Sequence, residues 1–214
     1  FIFAKNMKRL RFILKYFSHL CDAKNTRGHG IHSPYLYRFT QNAIYEKNPF
    51  YVFPKIELLR ENLKFDERKL FVKDYGTGTD RETRVLDIAK TSLKSPKWAQ
   101  LLYRVVNFTK AQQVLELGTS LGLTAAYMAA VNSEINCVSM EGSDEIAGIA
   151  RENFEKLEIE NVDIIVGNID EILEMHLAAT DKLDVVFFDA NHRSEAVMKY
   201  FNQCIEHIHP DSVF

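Results

Sequence analysis

The sequence predicts an α/β protein: a doubly wound parallel sheet of Rossmann-like type, preceded by a mainly helical cap. Three observations carry that expectation. From Gln113 onward, short apolar runs alternate with amphipathic segments, and the runs are apolar throughout, as in strands covered on both faces. The first run turns through Gly118 and Gly122 straight into a small-residue helix, Leu123 to Val131. Every run also ends on a polar or flexible group, which sets chemistry along one rim of the sheet.

The expected strands are Val114–Leu117, Asn136–Met140, Val162–Val166 and Leu183–Phe188. Helices are expected to begin near Leu121, Ser143, Ile169 and Ser194. Helix Asp144–Leu157 places Ile146, Ala150, Phe154 and Leu157 on one face and Asp144 and Glu145 at its favourable N-terminus. Helix Ser194–Ile208 repeats the pattern with Val197, Phe201, Cys204, Ile205 and Ile208. Alternating β and α units require parallel strands joined by right-handed crossovers. Asp211-Ser212-Val213-Phe214 looks like the opening of a fifth strand, so the expectation is a domain truncated after strand four.

Upstream, the reading is helix and loop. Met7 to Leu20 forms a basic amphipathic helix with Leu10, Ile13, Leu14 and Phe17 on one face, suited to packing on its own domain or to an anionic surface. Arg27-Gly28-His29-Gly30-Ile31-His32-Ser33-Pro34 is a turn-rich loop, and Ser33-Pro34 starts a helix from Tyr35 to Tyr45. Two histidines without a carboxylate or thiol are a poor metal set. The glycine amides with Arg27, beside His29 and His32, suit a polar or anionic group better, and a purely structural loop is the other reading. Residues Pro54 to Leu70 read as an exposed helix and Phe71-Val72-Lys73 as a short strand. Asp74-Tyr75-Gly76-Thr77-Gly78-Thr79 reads as an ordered loop over the site, and the charged Asp80–Arg84 segment continues it. Pro96 opens a helix over Lys97–Phe108. The boundary falls there, with a cap over 1–95 and a cofactor domain over 96–214.

Bulk properties exclude little. With 46% hydrophobic and 26% charged residues the 214-residue chain is an ordinary globular one. The net charge of −2 hides an asymmetry: eight bases face one acid up to Arg38 (+7), leaving 19 bases against 28 acids (−9). Cys21, Cys137 and Cys204 match no metal spacing and read as thiols of a reducing cytoplasm. No apolar run spans a bilayer, and the interrupted Phe1-Ile2-Phe3-Ala4 segment is no signal peptide. The expected location is cytoplasmic.

The strand ends narrow the ligand. They read Glu116-Leu117-Gly118, Glu141-Gly142, Gly167-Asn168 and Asp189-Ala190-Asn191-His192. A dinucleotide fold calls for G-x-G-x-x-G, whereas this chain has G-x-x-x-G at Gly118 and Gly122, preceded by an acid. Glu116 opposes a pyrophosphate and suits a ligand with an amino group and a sulfonium. These four strand ends together resemble the class I S-adenosylmethionine-dependent methyltransferases, most closely the small O-methyltransferase-like branch (methyltransferase 24 type). His29–Pro34 and Asp74–Thr79 resemble a bacterial group of that superfamily typical of Bacteroidetes.

The resemblance implies O-methyl transfer from S-adenosylmethionine to a small-molecule acceptor. It implies that Glu116 with Gly118, Thr119, Ser120 and Gly122 holds the methionine part of the cofactor. Glu141, beside Gly142, would accept both ribose hydroxyls, or instead cap the helix at Ser143. Asn168 would face the adenine amino group, or be only a turn residue. Asp189 would lie beside the sulfonium, and Asp189 or His192 would serve as the catalytic base. In metal-dependent relatives the acid matching Asp189 binds a divalent metal with two ligands beyond strand five, which leaves the metal open. Nucleic acid is not an expected partner, and the oligomeric state is open. An NAD(P)-dependent oxidoreductase and a non-catalytic S-adenosylmethionine-binding module remain the alternatives.

Overall fold

A computed structural model describes residues 11–18, 30–73, 75, 80–191 and 193–214. By their internal contacts the residues divide into two units, 1–46 and 47–214. In the first unit, 11–18 are helical (α1), within the stretch expected as a basic helix; its flanks lie outside the described residues, as do Arg27 and His29. Helix α2 (Pro34–Phe39) starts as the sequence suggests: the Ser33 side chain accepts from the Leu36 N–H, and Pro34 supplies a fixed φ at the first position. It runs on as one π-helical stretch, Thr40–Ile44.

The second unit begins with α3 (Phe53–Leu63), which buries Phe53, Ile56, Leu59, Arg60 and Leu63. This helix is shorter than the expected 54–70. Asp66 ends it: its side chain accepts from the Arg68 N–H and guanidinium, which also reaches Glu152. Strand β1 (Lys69–Val72) follows, buries Leu70 and Val72 in alternation, and pairs antiparallel with β2 (Arg81–Arg84). The charged 80–84 segment, expected as loop, is thus largely strand. Its charges are tolerated because the two-stranded ribbon leaves that strand solvated, with a Lys69–Glu82 pair across it. Helix α4 (Val85–Thr91), absent from the expectation, buries Val85, Leu86, Ile88 and Ala89. Helix α5 (Pro96–Thr109) has Pro96 at its start and stops at Lys110, whose φ of 58° is left-handed.

The parallel sheet follows: β3 (Gln113–Leu117), β4 (Asn136–Glu141), β5 (Val162–Val166), β6 (Leu183–Phe188) and β7 (Ile208–Val213), in the order β5-β4-β3-β6-β7. Helices α6 (Leu123–Ala129), α7 (Asp144–Leu157), α8 (Ile169–Leu177) and α9 (Ser194–Cys204) connect the strands. Leu115, Leu117, Val138, Met140, Leu173, Leu183, Val186 and Cys204 form one buried cluster on this sheet. Each such side chain contributes about 1.5–3 kcal/mol by leaving water. Every residue of α6 is buried, and Ala125, Ala126 and Ala129 let this helix pack closely on its neighbours.

The last element corrects two expectations. Helix α9 ends at Cys204 and a single 3-10 turn, Ile205–His207, leads into β7 at Ile208, so a fifth strand is present and begins before Asp211. Pro210 lies within β7, which among the described residues pairs on one side only and so tolerates a residue without an N–H. The chain winds outward from β3 through β4 to β5, then returns to β6 on the other side of β3. The crevice at that reversal lies between the ends of β3 and β6.

Candidate functional site

The reversal point holds a cleft of about 750 Å3. Gly118 and Ser120 line it from the turn after β3, Glu141 and Gly142 from the end of β4, Gly167 and Asn168 from the end of β5, and Asp189 from the end of β6. Six of the residues expected at a site, Gly118, Ser120, Glu141, Gly142, Asn168 and Asp189, thus meet in one cavity. Glu116, Thr119 and Gly122 do not line it, and His192 lies outside the described residues.

Gly118 shows why the turn is built as it is. Its φ is +103°, and a Cβ there would stand 2.8 Å from the Asp189 carbonyl carbon and oxygen. A glycine is the residue that lets β3 and β6 end this close together. Gly122 is equally constrained, at φ +81°, with the Phe154 ring 2.9 Å from a built Cβ. The amides of this turn have partners within the chain: Gly118 and Thr119 donate to the Met140 carbonyl, and Gly122 to that of Thr119. The Ser120 N–H, at a left-handed φ of 50°, donates to Glu141 Oε2 at 2.8 Å. The turn is therefore held from below by β4 and from the side by a carboxylate.

Glu116 is one layer below the cleft. It is fully buried; Oε2 accepts from the Ser139 hydroxyl, which is 2.6 Å from that of Thr119, while Oε1 has no hydrogen-bond partner. Burial pushes its carboxyl up to about 8, only partly offset by the nearby Ser139 and Thr124 hydroxyls. Glu141 lines the cleft, and its Oε1 accepts from the Ser143 N–H at 3.0 Å, which is the capping contact. Its carboxyl is raised by burial, against the pull of the Ser143 and Ser120 amides. Asn168 caps α8, accepting from the Asp170 N–H, and its amide donates to Glu171. Asp189 carries an ion pair, with Lys94 Nζ 2.6 Å from Oδ1.

Lys94 was not among the residues expected here, nor were Arg193 and Tyr200, which also line the cleft. Tyr75 lines it too and packs on Gly142, with a built Cβ 3.2 Å from its ring. Tyr75 comes from the loop read as covering the site; Lys94 sits in a turn whose sequence carries no signal of its destination. Among the described residues no group of three or more His, Cys, Asp or Glu could hold a metal ion.

With this geometry in view, comparison with known proteins is informative. Residues 115–214 match a family described as "Methyltransferase domain". In fold the chain resembles the class I methyltransferases. The chain is 31% identical over 128 residues to protein-L-isoaspartate O-methyltransferase 1 of Archaeoglobus fulgidus, covering 52% of this chain and 57% of that one. Among solved structures it resembles the O-methyltransferase TomG from Streptomyces achromogenes, involved in tomaymycin synthesis and in complex with S-adenosylmethionine. That match has TM-score 0.52 and 24% identity, covering 56% of this chain and 55% of that one. It also resembles the O-methyltransferase from Bacillus cereus in complex with S-adenosylhomocysteine, with TM-score 0.54 and 19% identity, covering 81% and 67%. The chain therefore spans little more than half the length of the first two relatives. Outside the matched residues, Val72, Lys73 and Tyr75 at and after the end of β1, and Thr91, Ser92 and Lys94 at and after the end of α4, complete the cleft. Among the described residues no helix is long and apolar enough to cross a membrane.

Proposed function

We propose that this protein binds S-adenosylmethionine in the cleft between β3 and β6 and transfers its methyl group to an oxygen of a small-molecule acceptor. The observation that carries this reading is the meeting of Gly118, Glu141 and Asp189 in one cavity at the reversal of the sheet. The residues present suit the cofactor. Gly118 lines the cleft with no side chain to obstruct a ligand, Glu141 offers two carboxylate oxygens at the cleft wall, and the strand-end acids suit a cationic ligand rather than a pyrophosphate. S-adenosylmethionine supplies a methyl group on a sulfonium leaving group.

The protein's own part is to position, to exclude water and to manage a proton. Glu141 is the residue for the ribose hydroxyls, and it need only exchange its hold on the Ser120 and Ser143 amides to take them. Asn168 reaches the cleft while capping α8, so it serves the adenine end through the position of its backbone as much as its amide. Asp189, at the base of the crevice, is the candidate to receive the acceptor's proton, with His192 as the alternative base. Alignment of reacting groups is the main contribution a protein makes to such a displacement. Residues up to about 95 are proposed as the acceptor cap, with Arg27, His29 and His32 meeting a polar or anionic acceptor, and the cytoplasm as the site of action.

Titration calorimetry with S-adenosylmethionine and S-adenosylhomocysteine tests the reading. Binding is expected, weakened by Glu141→Ala and abolished by Gly118→Arg. A folded protein that binds neither ligand but does bind NADH would replace this reading with a nicotinamide-dependent one.

A further inference from the structure

The cleft contains three carboxylates, and each is already engaged. Glu141 accepts from the Ser120 and Ser143 amides. Asp170 pairs with Lys199, which is not part of the cleft lining. Asp189 pairs with Lys94, and here both partners line the cavity. The Lys94 side chain is 36% exposed and that of Asp189 14%, so the pair is open to a ligand on one side while protein shields the other.

The backbone of Lys94 is held by a buried chain of contacts. Arg60, 4% exposed, donates through one guanidinium nitrogen to the Lys94 carbonyl at 2.7 Å. Its Nε is 2.9 Å from Glu57 Oε2, and Glu57 Oε1 accepts from the hydroxyl of the fully buried Tyr127 on α6. The backbone of Lys94 is thus tied through α3 to the helix that follows the Gly118 turn.

We infer that Lys94 is a specificity residue of the cofactor site, neutralising Asp189 and so setting how strongly the cleft distinguishes a positively charged cofactor from its neutral product. This rests on the proposed function above. A bare carboxylate at Asp189 favours a sulfonium over a thioether by direct Coulomb attraction, in a site only partly screened by water. An ammonium at 2.6 Å cancels most of that preference. The consequence is a site that holds S-adenosylmethionine less tightly than its acids alone would, and in which the charge lost on methyl transfer changes affinity little.

The test is calorimetry with S-adenosylmethionine and S-adenosylhomocysteine on the full chain and on Lys94→Met, Lys94→Arg, Asp189→Asn and the Lys94→Met/Asp189→Asn double variant, each checked for native circular dichroism. Lys94→Met should raise the preference for S-adenosylmethionine over S-adenosylhomocysteine by roughly tenfold. Lys94→Arg should keep the wild-type ratio, and Lys94→Met should have no effect on the ratio once Asp189 is Asn. Equal changes in both affinities, or none, would overturn the inference and leave Lys94 a structural residue. Absence of binding of either ligand by the folded wild-type chain would instead overturn the cofactor reading and this inference with it. If Lys94→Met unfolds, Lys94→Gln gives the same comparison.

Discussion

Glu116 is a carboxyl group held where water does not reach it, with one oxygen on Ser139 and the other unpaired. Because burial raises its pKa to about 8, the folded protein keeps this proton after the unfolded chain has lost it. The sign follows from linkage: below pH ~4.5 both states are protonated and nothing is lost, and stability then falls as pH rises until the folded form also ionises near 8. Urea unfolding of Glu116→Gln between pH 5 and 8 should show that part of the pH slope removed, with a gain of about 1 kcal/mol or more at pH 8. At Gly118 the constraint is steric rather than electrostatic. Gly118→Ala forces a Cβ to 2.8 Å from the Asp189 backbone at a φ of +103°, and should lower stability by about 2 kcal/mol or more while parting β3 from β6. Thermal unfolding measures the first effect, and loss of ligand binding in calorimetry the second.

At the scale of elements, the far end of the sheet is tied by one side chain. Asp184, on β6, accepts from the Gln112 and Gln113 N–H groups at the start of β3 and from His209 Nε2 on β7, at 2.6–2.8 Å. Burial works to raise its carboxyl, but the Gln113 and Gln112 amides and His209 outweigh it, and the net shift is downward. A lowered pKa gives stability that is complete above the unfolded value near 3.8 and lost as pH falls through the folded one. Asp184→Ala removes the acceptor for three donors and should cost about 2–3 kcal/mol at neutral pH. Hydrogen exchange should then show β7 opening before the other strands, because the variant removes its His209 contact to β6 and, among the described residues, β7 pairs with β6 alone.

At the scale of the molecule, every residue lining the cleft falls within 47–214, the larger of the two units. A chain expressed from residue 47 should unfold cooperatively and bind S-adenosylmethionine with unchanged affinity, as calorimetry would show; a loss of affinity would assign residues 1–46 a part in the cofactor site. The cleft also draws on sequence-distant elements. Lys94 precedes α5, Tyr75 precedes β2, and both meet the strand ends of a sheet that begins only at Gln113.

What the sequence by itself determined is what depends on near neighbours. Period and composition mark four of the five parallel strands and the helices between them, since burial on both faces leaves an unbroken apolar run. Gly118, Glu141, Asn168 and Asp189 were legible as residues of one rim because every parallel strand delivers its carboxyl end to the same side of the sheet. Strand β2, helix α4 and the start of β7 were not: a charged edge segment, a seven-residue helix and a strand containing Pro210 lack a periodic signal of their own. Only the tertiary structure decided which rim residues face the cleft and which stand beneath it. Glu116 and Asp189 are both acids at strand ends, yet one is sealed under the turn with a raised pKa and the other opens to the cavity against Lys94. That difference is made by long-range packing, because desolvation and charge pairing are set by what the folded chain brings alongside a residue rather than by its neighbours in sequence.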